Sequence, residues 1–268
     1  MKPYKLEAGT AQHLGSRPQQ NDRTALFTGA RAPGYVLAVL SDGVVGGATA
    51  SEQVLHTAKQ LFDEFKPGDN PTTERLSQLL RDIVHETHTI IRMNEFTTKT
   101  ESYATFVGLV ITPTGKAVWA HVGDSRLYRF AGANCLSRSG DQPYIEHLVG
   151  TDKIPMDAAK NHRHSKLLLN VLGNDRKAPF VTIGVHDQVA PGDTFLLCSD
   201  GLWHFFTDAE LGAVTSKTTP RQASEMLINK ATERAQGKGD NCTMCIVKFV
   251  KPPKEQKNYT VQKMGRAV

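Results

Sequence analysis

Four short apolar runs in this chain each carry an aspartate at one edge, and that placement limits what the chain can fold into. Asp42 follows Tyr35–Ser41 in YVLAVLSDG, and Asp124 follows Ala117–Val122 in AVWAHVGDSR. Asp200 follows Thr194–Ser199 in TFLLCSDGLW, and Asp240 stands just before the run from Thr243 in GKGDNCTMCIV. Runs of this length, rich in Val, Ile, Leu, Phe and Thr, read as buried strands. One Asp-Gly pair is an ordinary turn. Four aspartates at strand ends point instead to a carboxylate cluster on a rigid scaffold. Such a cluster needs a compensating cation, and hard oxygen ligands suit Mg²⁺ or Mn²⁺, which also take phosphate oxygens. On pattern alone, four unrelated turn aspartates are an equal reading.

Two further runs, Tyr103–Thr112 and Phe180–Val185, also read as strands. Helical periodicity appears elsewhere. Val54, Leu55, Ala58, Leu61, Phe62 and Phe65 form one stripe over Ser51–Phe65, closed by Lys66-Pro67-Gly68. A second helix over 72–94 would bury Leu76, Leu79, Leu80, Ile83 and Val84. A third, over 220–235, opens on Thr219-Pro220, a capping residue before a proline in the first turn. Strands and helices without strict alternation predict an α+β domain over residues 1–250. The polar segment 136–161 reads as a long irregular excursion of the kind that often forms a lid, and 251–268 as a flexible basic tail.

Composition narrows the function. With 39% hydrophobic and 22% charged residues in 268, the chain is globular. Its apolar runs fall far short of the ~18–20 residues of a membrane span. The start, MKPYKLEAGT, lacks a secretory stretch, so the expectation is a cytoplasmic protein without a membrane partner. The formal charge of +5 invites a nucleic-acid reading, but residues 251–268 carry +4 of it and leave +1 on the remainder. No nucleic-acid partner is therefore expected. Cys242 and Cys245 are spaced as C-x-x-C, yet on a strand they would face opposite ways, with no second pair to complete a zinc site. Neither a Walker A sequence nor G-x-G-x-x-G occurs.

Read in order, the motifs resemble those of the metal-dependent type-2C (PPM) serine/threonine phosphatases, in their bacterial form. Gly15-Ser16-Arg17-Pro18-Gln19-Gln20-Asn21-Asp22 is similar to that family's opening R-x-x-N-[EQ]-D, and Asp42-Gly43-Val44-Val45-Gly46-Gly47 to its D-G-x-G-G. Val122-Gly123-Asp124-Ser125-Arg126 matches V-G-D-S-R, Ser199-Asp200-Gly201-Leu202-Trp203 matches S-D-G-L-[WT], and Asp240-Asn241-Cys242-Thr243 matches D-N-x-T. His162–Gly173 is a weaker counterpart of a segment ending in L-G. The matches run from about residue 9 to 250 with family-like spacing.

The resemblance implies two antiparallel β-sheets packed as a sandwich between helix pairs, with 136–161 as the flap. It implies two Mn²⁺ or Mg²⁺ ions. Asp42 would bridge them, with Asp22 and the Gly43 carbonyl on one ion and Asp200 and Asp240 on the other. Asp124, with Asp200, would hold a third, weaker ion, and Arg17 would grip the substrate phosphate. It further implies direct attack on phosphoserine or phosphothreonine by a water bridging the metals, with kinase-phosphorylated proteins as substrates of a monomeric enzyme. A pseudo-phosphatase that only binds phosphoproteins, or a phosphatase of small phosphoesters, would keep the same motifs.

Three departures stand out. Gln20 and Asn21 replace the usual pair before Asp22, and Val45 is an extra residue in the second motif. Val44 stands where eukaryotic members carry a histidine proposed to protonate the leaving group. Ser139-Gly140-Asp141-Gln142-Pro143 replaces the flap's D-H-S. Ser41, Ser125 and Ser199 read as hydrogen-bonding turn residues, His121 as a satisfied core histidine, and His162 and His164 as surface residues.

Overall fold

The apolar runs are continuous because their strands bury both faces. On β3 (Val36–Ser41), Leu37 and Val39 join one apolar layer while Ala38 and Leu40 join another. On β4 (Phe106–Ile111), Phe106 and Val110 face the first layer, and Val107, Leu109 and Ile111 the second. The same parity governs β9 (Asp193–Cys198) and β10 (Cys242–Val250), where Phe195, Leu197, Cys245, Val247 and Phe249 share that second layer. Cys242 lies with Leu196, Cys198 and Met244 in a third layer, so the C-x-x-C cysteines do face opposite ways.

Those observations come from a computed structural model that describes residues 4–44, 47–68, 72–140, 170–175 and 178–252. Most of the 136–161 excursion, His162, His164 and the tail from 253 lie outside the described residues. The remaining strands are β1 (Lys5–His13), β2 (Arg23–Thr28), β5 (Ala117–Val122), β6 (Arg126–Ala131), β7 (Asn134–Arg138) and β8 (Thr182–His186). They form two five-stranded sheets, ordered β1-β10-β9-β6-β7 and β2-β3-β4-β5-β8, with every strand pair antiparallel.

Helices α1 (Gly47–Glu64) and α2 (Thr73–Thr98) pack Val54, Ala58, Phe62, Leu76, Leu80 and Ile83 onto the second sheet. A one-turn α3 (Asp200–Trp203), α4 (Asp208–Lys217) and α5 (Pro220–Ala235) cover the first with Leu202, Leu211, Ala223, Leu227 and Ala231. The expected sandwich between helix pairs is present. The first helix starts at Gly47, ahead of the expected Ser51, because its first turn precedes the apolar stripe. The second runs on to Thr98, four residues past the expected end, on a turn that exposes Phe96. Thr219 caps α5 as its sequence foretold, in a capping box with Gln222.

Gly123 forms the corner at which the chain leaves β5 in one sheet for β6 in the other. Its φ is +101°, and a Cβ there would lie 2.7 Å from Thr105 Cγ2. Gly123→Ala should therefore destabilise the fold by about 2 kcal/mol or more, read as a lowered melting temperature. An unchanged melting temperature would show that the corner relaxes freely.

Candidate metal centre

The carboxylates meet because their strands end together. Arg23 pairs with Ser41 at the last rung between β2 and β3, so one residue further on Asp22 stands opposite Asp42. Arg126 and Met244 both pair with Cys198, and continuing those ladders sets Asp124 across from Asp200 and Thr243 across from Ser199. His13 pairs with Cys242, and beyond it Ser16 N–H donates to the Gly239 carbonyl at 2.8 Å, bringing Arg17 to Asp240. The sites expected from sequence at residues 17, 22, 42, 43, 124, 200 and 240 thus gather at one end of the sandwich.

Parity then decides where the side chains point. Asp22 and Asp42 share the register of Leu26 and Leu40, which face the other sheet, and they cap that inter-sheet layer. Ser199 and Thr243 face them from the opposite sheet, by the parity of Leu197 and Cys245. Ser199 Oγ donates to Asp22 Oδ2 at 2.7 Å and accepts from Thr243 N–H at 3.0 Å. Asp22 is fully buried, whereas Asp42, Asp124, Asp200 and Asp240 keep some surface.

Burial pushes the Asp22 carboxyl up to about 6, against the opposing hydrogen bond from Ser199. Desolvation, then the charges of Asp22, Asp200 and Asp124, holds the Asp42 carboxyl well above the usual carboxylate range. Asp200 is raised as well, mainly by burial and partly offset by His204. Arg17 is pushed up chiefly by its pairing with Asp240, at 2.5 Å.

Among the described residues, no three His, Cys, Asp or Glu side chains converge into a finished metal cage. The donor set nonetheless fits a hard divalent cation. It is all oxygen, it is anionic, and Asp22 Oδ1 is buried without a hydrogen-bond donor. Gly43 sits opposite Ala104 in a bridge flanked by the bonds Val44 N–H to Tyr103 and Thr105 N–H to Asp42. Its own carbonyl therefore points away from that neighbour, toward the Asp22 side.

Several residues that sequence reasoning passed over hold the site together. Thr105 Oγ1 accepts from the Asp42 N–H at 2.9 Å and lies 2.7 Å from Ser125 Oγ, while its carbonyl accepts from Ser41 Oγ. Asn241 Oδ1 accepts from Asn21 N–H at 2.7 Å, and its Nδ2 donates to the Leu14 carbonyl at 2.8 Å. Asn241 lay inside D-N-x-T as a sequence signal; Thr105 had none. Ser41, Ser125 and Ser199 are buried with engaged hydroxyls, and His121 Nε2 lies 2.7 Å from the Gly140 carbonyl.

The fold is that of the metal-dependent type-2C phosphatases. The serine/threonine phosphatase of S. agalactiae superposes with a TM-score of 0.78 at 22% identity, over 92% of this chain and 100% of that one. The catalytic domain of serine/threonine phosphatase PstP, in complex with two manganese ions, superposes with a TM-score of 0.71 at 23% identity, over 92% and 99%. In sequence, the serine/threonine phosphatase Stp of Listeria monocytogenes is 28% identical over 216 residues, 79% of this chain and 83% of that one. No protein-family model matches the chain. The resemblance carried by the five motifs therefore extends to relatives and to fold. Among the described residues no helix is long and apolar enough to cross a membrane.

Proposed function

We propose that residues 1–250 form the catalytic domain of a metal-dependent phosphatase acting on phosphoserine and phosphothreonine in proteins. The observation that carries this reading is the placement of five aspartates, from the ends of both sheets, at one end of the sandwich beside one exposed arginine. Asp22, Asp42, Asp200, Asp240 and the Gly43 carbonyl would hold two divalent cations, and Asp124 with Asp200 a third. When bound, such cations acidify water for attack on phosphorus and neutralise phosphate charge.

The chain's own groups do the remainder. Arg17 has five N–H donors, of which the bond to Asp240 uses one, and the others can fork onto a phosphate beside the carboxylates. Ser41, Ser125 and Ser199 turn their hydroxyls inward, so none of these three presents a nucleophile, which favours direct attack by water. Val44, 39% exposed, has no proton to give, so a metal-bound or bulk water would have to protonate the leaving alkoxide.

Hydrolysis of a phosphothreonine peptide tests the reading. Turnover should require Mn²⁺ or Mg²⁺, stop with chelator, and fall at least about a thousand-fold in Asp200→Asn. Wild-type protein that binds the peptide without hydrolysing it would overturn the enzyme assignment. Arg17→Ala should raise KM for the phosphopeptide by about tenfold to a hundredfold, the scale of a charge-assisted fork. Unchanged KM and kcat would remove Arg17 from the phosphate.

A further inference from the structure

Trp203 ends the helical turn that Asp200 begins, and it touches the Asp124 corner twice. Its indole Nε1–H donates to the Asp124 carbonyl at 3.0 Å. Its ring lies under the Arg126 guanidinium, with Cζ 3.5 Å from the ring centroid, and Arg126 is itself buried with Nη1 donating to Tyr128 Oη at 3.0 Å. Both contacts fall on the three residues Asp124-Ser125-Arg126. The Trp203 ring also meets His204, with centroids 3.9 Å apart, and His204 Nδ1 lies 3.6 Å from Asp200 Oδ2.

Asp124 and Asp200 belong to different strand ends, and the turn after β9 is otherwise tied to β10 through Ser199 and Thr243. The indole therefore bridges the two segments whose carboxylates would share one ion. A donor on the Asp124 carbonyl and a stack on Arg126 fix the backbone immediately after the Asp124 side chain. Groups that orient a ligand residue in this way commonly change metal affinity by about 10–100-fold when removed. Resting on the metal centre inferred above, we propose that Trp203 is the positioning residue that holds Asp124 for a cation shared with Asp200.

Manganese binding, followed by the electron paramagnetic resonance of the free ion, separates this role from a structural one. The wild type should take up two ions tightly and a third weakly. Trp203→Phe, which keeps a ring and loses the N–H, should weaken the third by about tenfold or more and leave the first two within about twofold. Its melting temperature in chelator should stay close to that of the wild type. Unchanged binding of all three ions, or equal weakening of all three, would overturn the proposal. A readout that needs no Trp203 variant is the wild-type indole emission, which should change as the weakest site fills, a phase that Asp124→Asn should abolish. Emission insensitive to that site would also overturn the role. A wild type that binds only two ions refutes the shared site and leaves the two-ion reading standing, whereas one that binds none refutes both.

Discussion

Replacing Asp42 with asparagine should make the metal-free protein more stable while abolishing its activity. Asp42 is crowded by Asp22, Asp200 and Asp124 in a desolvated setting that disfavours its charge. Asparagine keeps the shape and removes the ionisable group, so neither a crowded charge nor a proton taken up on folding opposes the fold at neutral pH. Melting in chelator should therefore shift up, by about 2–4 °C for each kcal/mol recovered in a chain near this size. The same change removes the carboxylate proposed to bridge both cations, so turnover should fall by about a thousand-fold or more. Melting curves with and without Mn²⁺ check both halves: the wild type should show a metal-induced rise and the variant should lose it. A variant less stable than wild type in chelator would mean that Asp42 holds the fold rather than straining it.

The second large effect is in pH. Asp22 is raised from 3.8 to about 6, so between those values the unfolded chain gives up a proton that the fold retains. The stability this group contributes is therefore full below pH ~4 and is lost as pH rises through about 6, on the order of 3 kcal/mol for a shift of about two units. A divalent cation must displace that proton, and the one favoured on Asp42, before the carboxylates can ligate it. Manganese affinity should thus tighten by up to about tenfold per pH unit for each displaced proton, and level off once both are gone. Melting temperatures with Mn²⁺ and with chelator should diverge from pH 5 to pH 7. A metal-induced rise independent of pH would show that these carboxylates are already ionised in the metal-free fold.

Much of this was legible in sequence because burial and chemistry left separate marks. Strands buried on both faces, such as β3, β4 and β9, read as unbroken apolar runs. Helices α1, α2 and α5 showed one stripe each. Of the four edge strands, only β8 left such a mark, in Phe180–Val185. β1, KLEAGTAQH, and β7, NCLSR, bury little of their outer faces and carry polar residues there. β6 hid behind its arginines, of which the fold buries Arg126 by stacking it on Trp203 and half-buries Arg129 by pairing it with Asp193 at 2.8 Å. Helix α4 showed no apolar stripe, since among its residues only Leu211, Gly212 and Thr215 are buried, and Gly212 stands near its middle. In the fold it lets the helix approach the turn before β7, where a Cβ would lie 2.1 Å from the Ala133 carbonyl. The aspartates were visible as residues at run ends, but their pairing follows from register, which no local pattern encodes.

Asp22 and Asp42 close off the layer between two sheets whose facing surfaces are apolar and held by no covalent link among the described cysteines. Ser199 and Thr243 reach them from across that layer. A cation seated on these groups would act as a rivet through both sheets at one end, leaving the far end to slide only as far as its side chains allow. Backbone amides at the starts of β2 and β10 and at the ends of β3 and β9 should then exchange with solvent as one cooperative set when metal is present, and as two sets when it is removed.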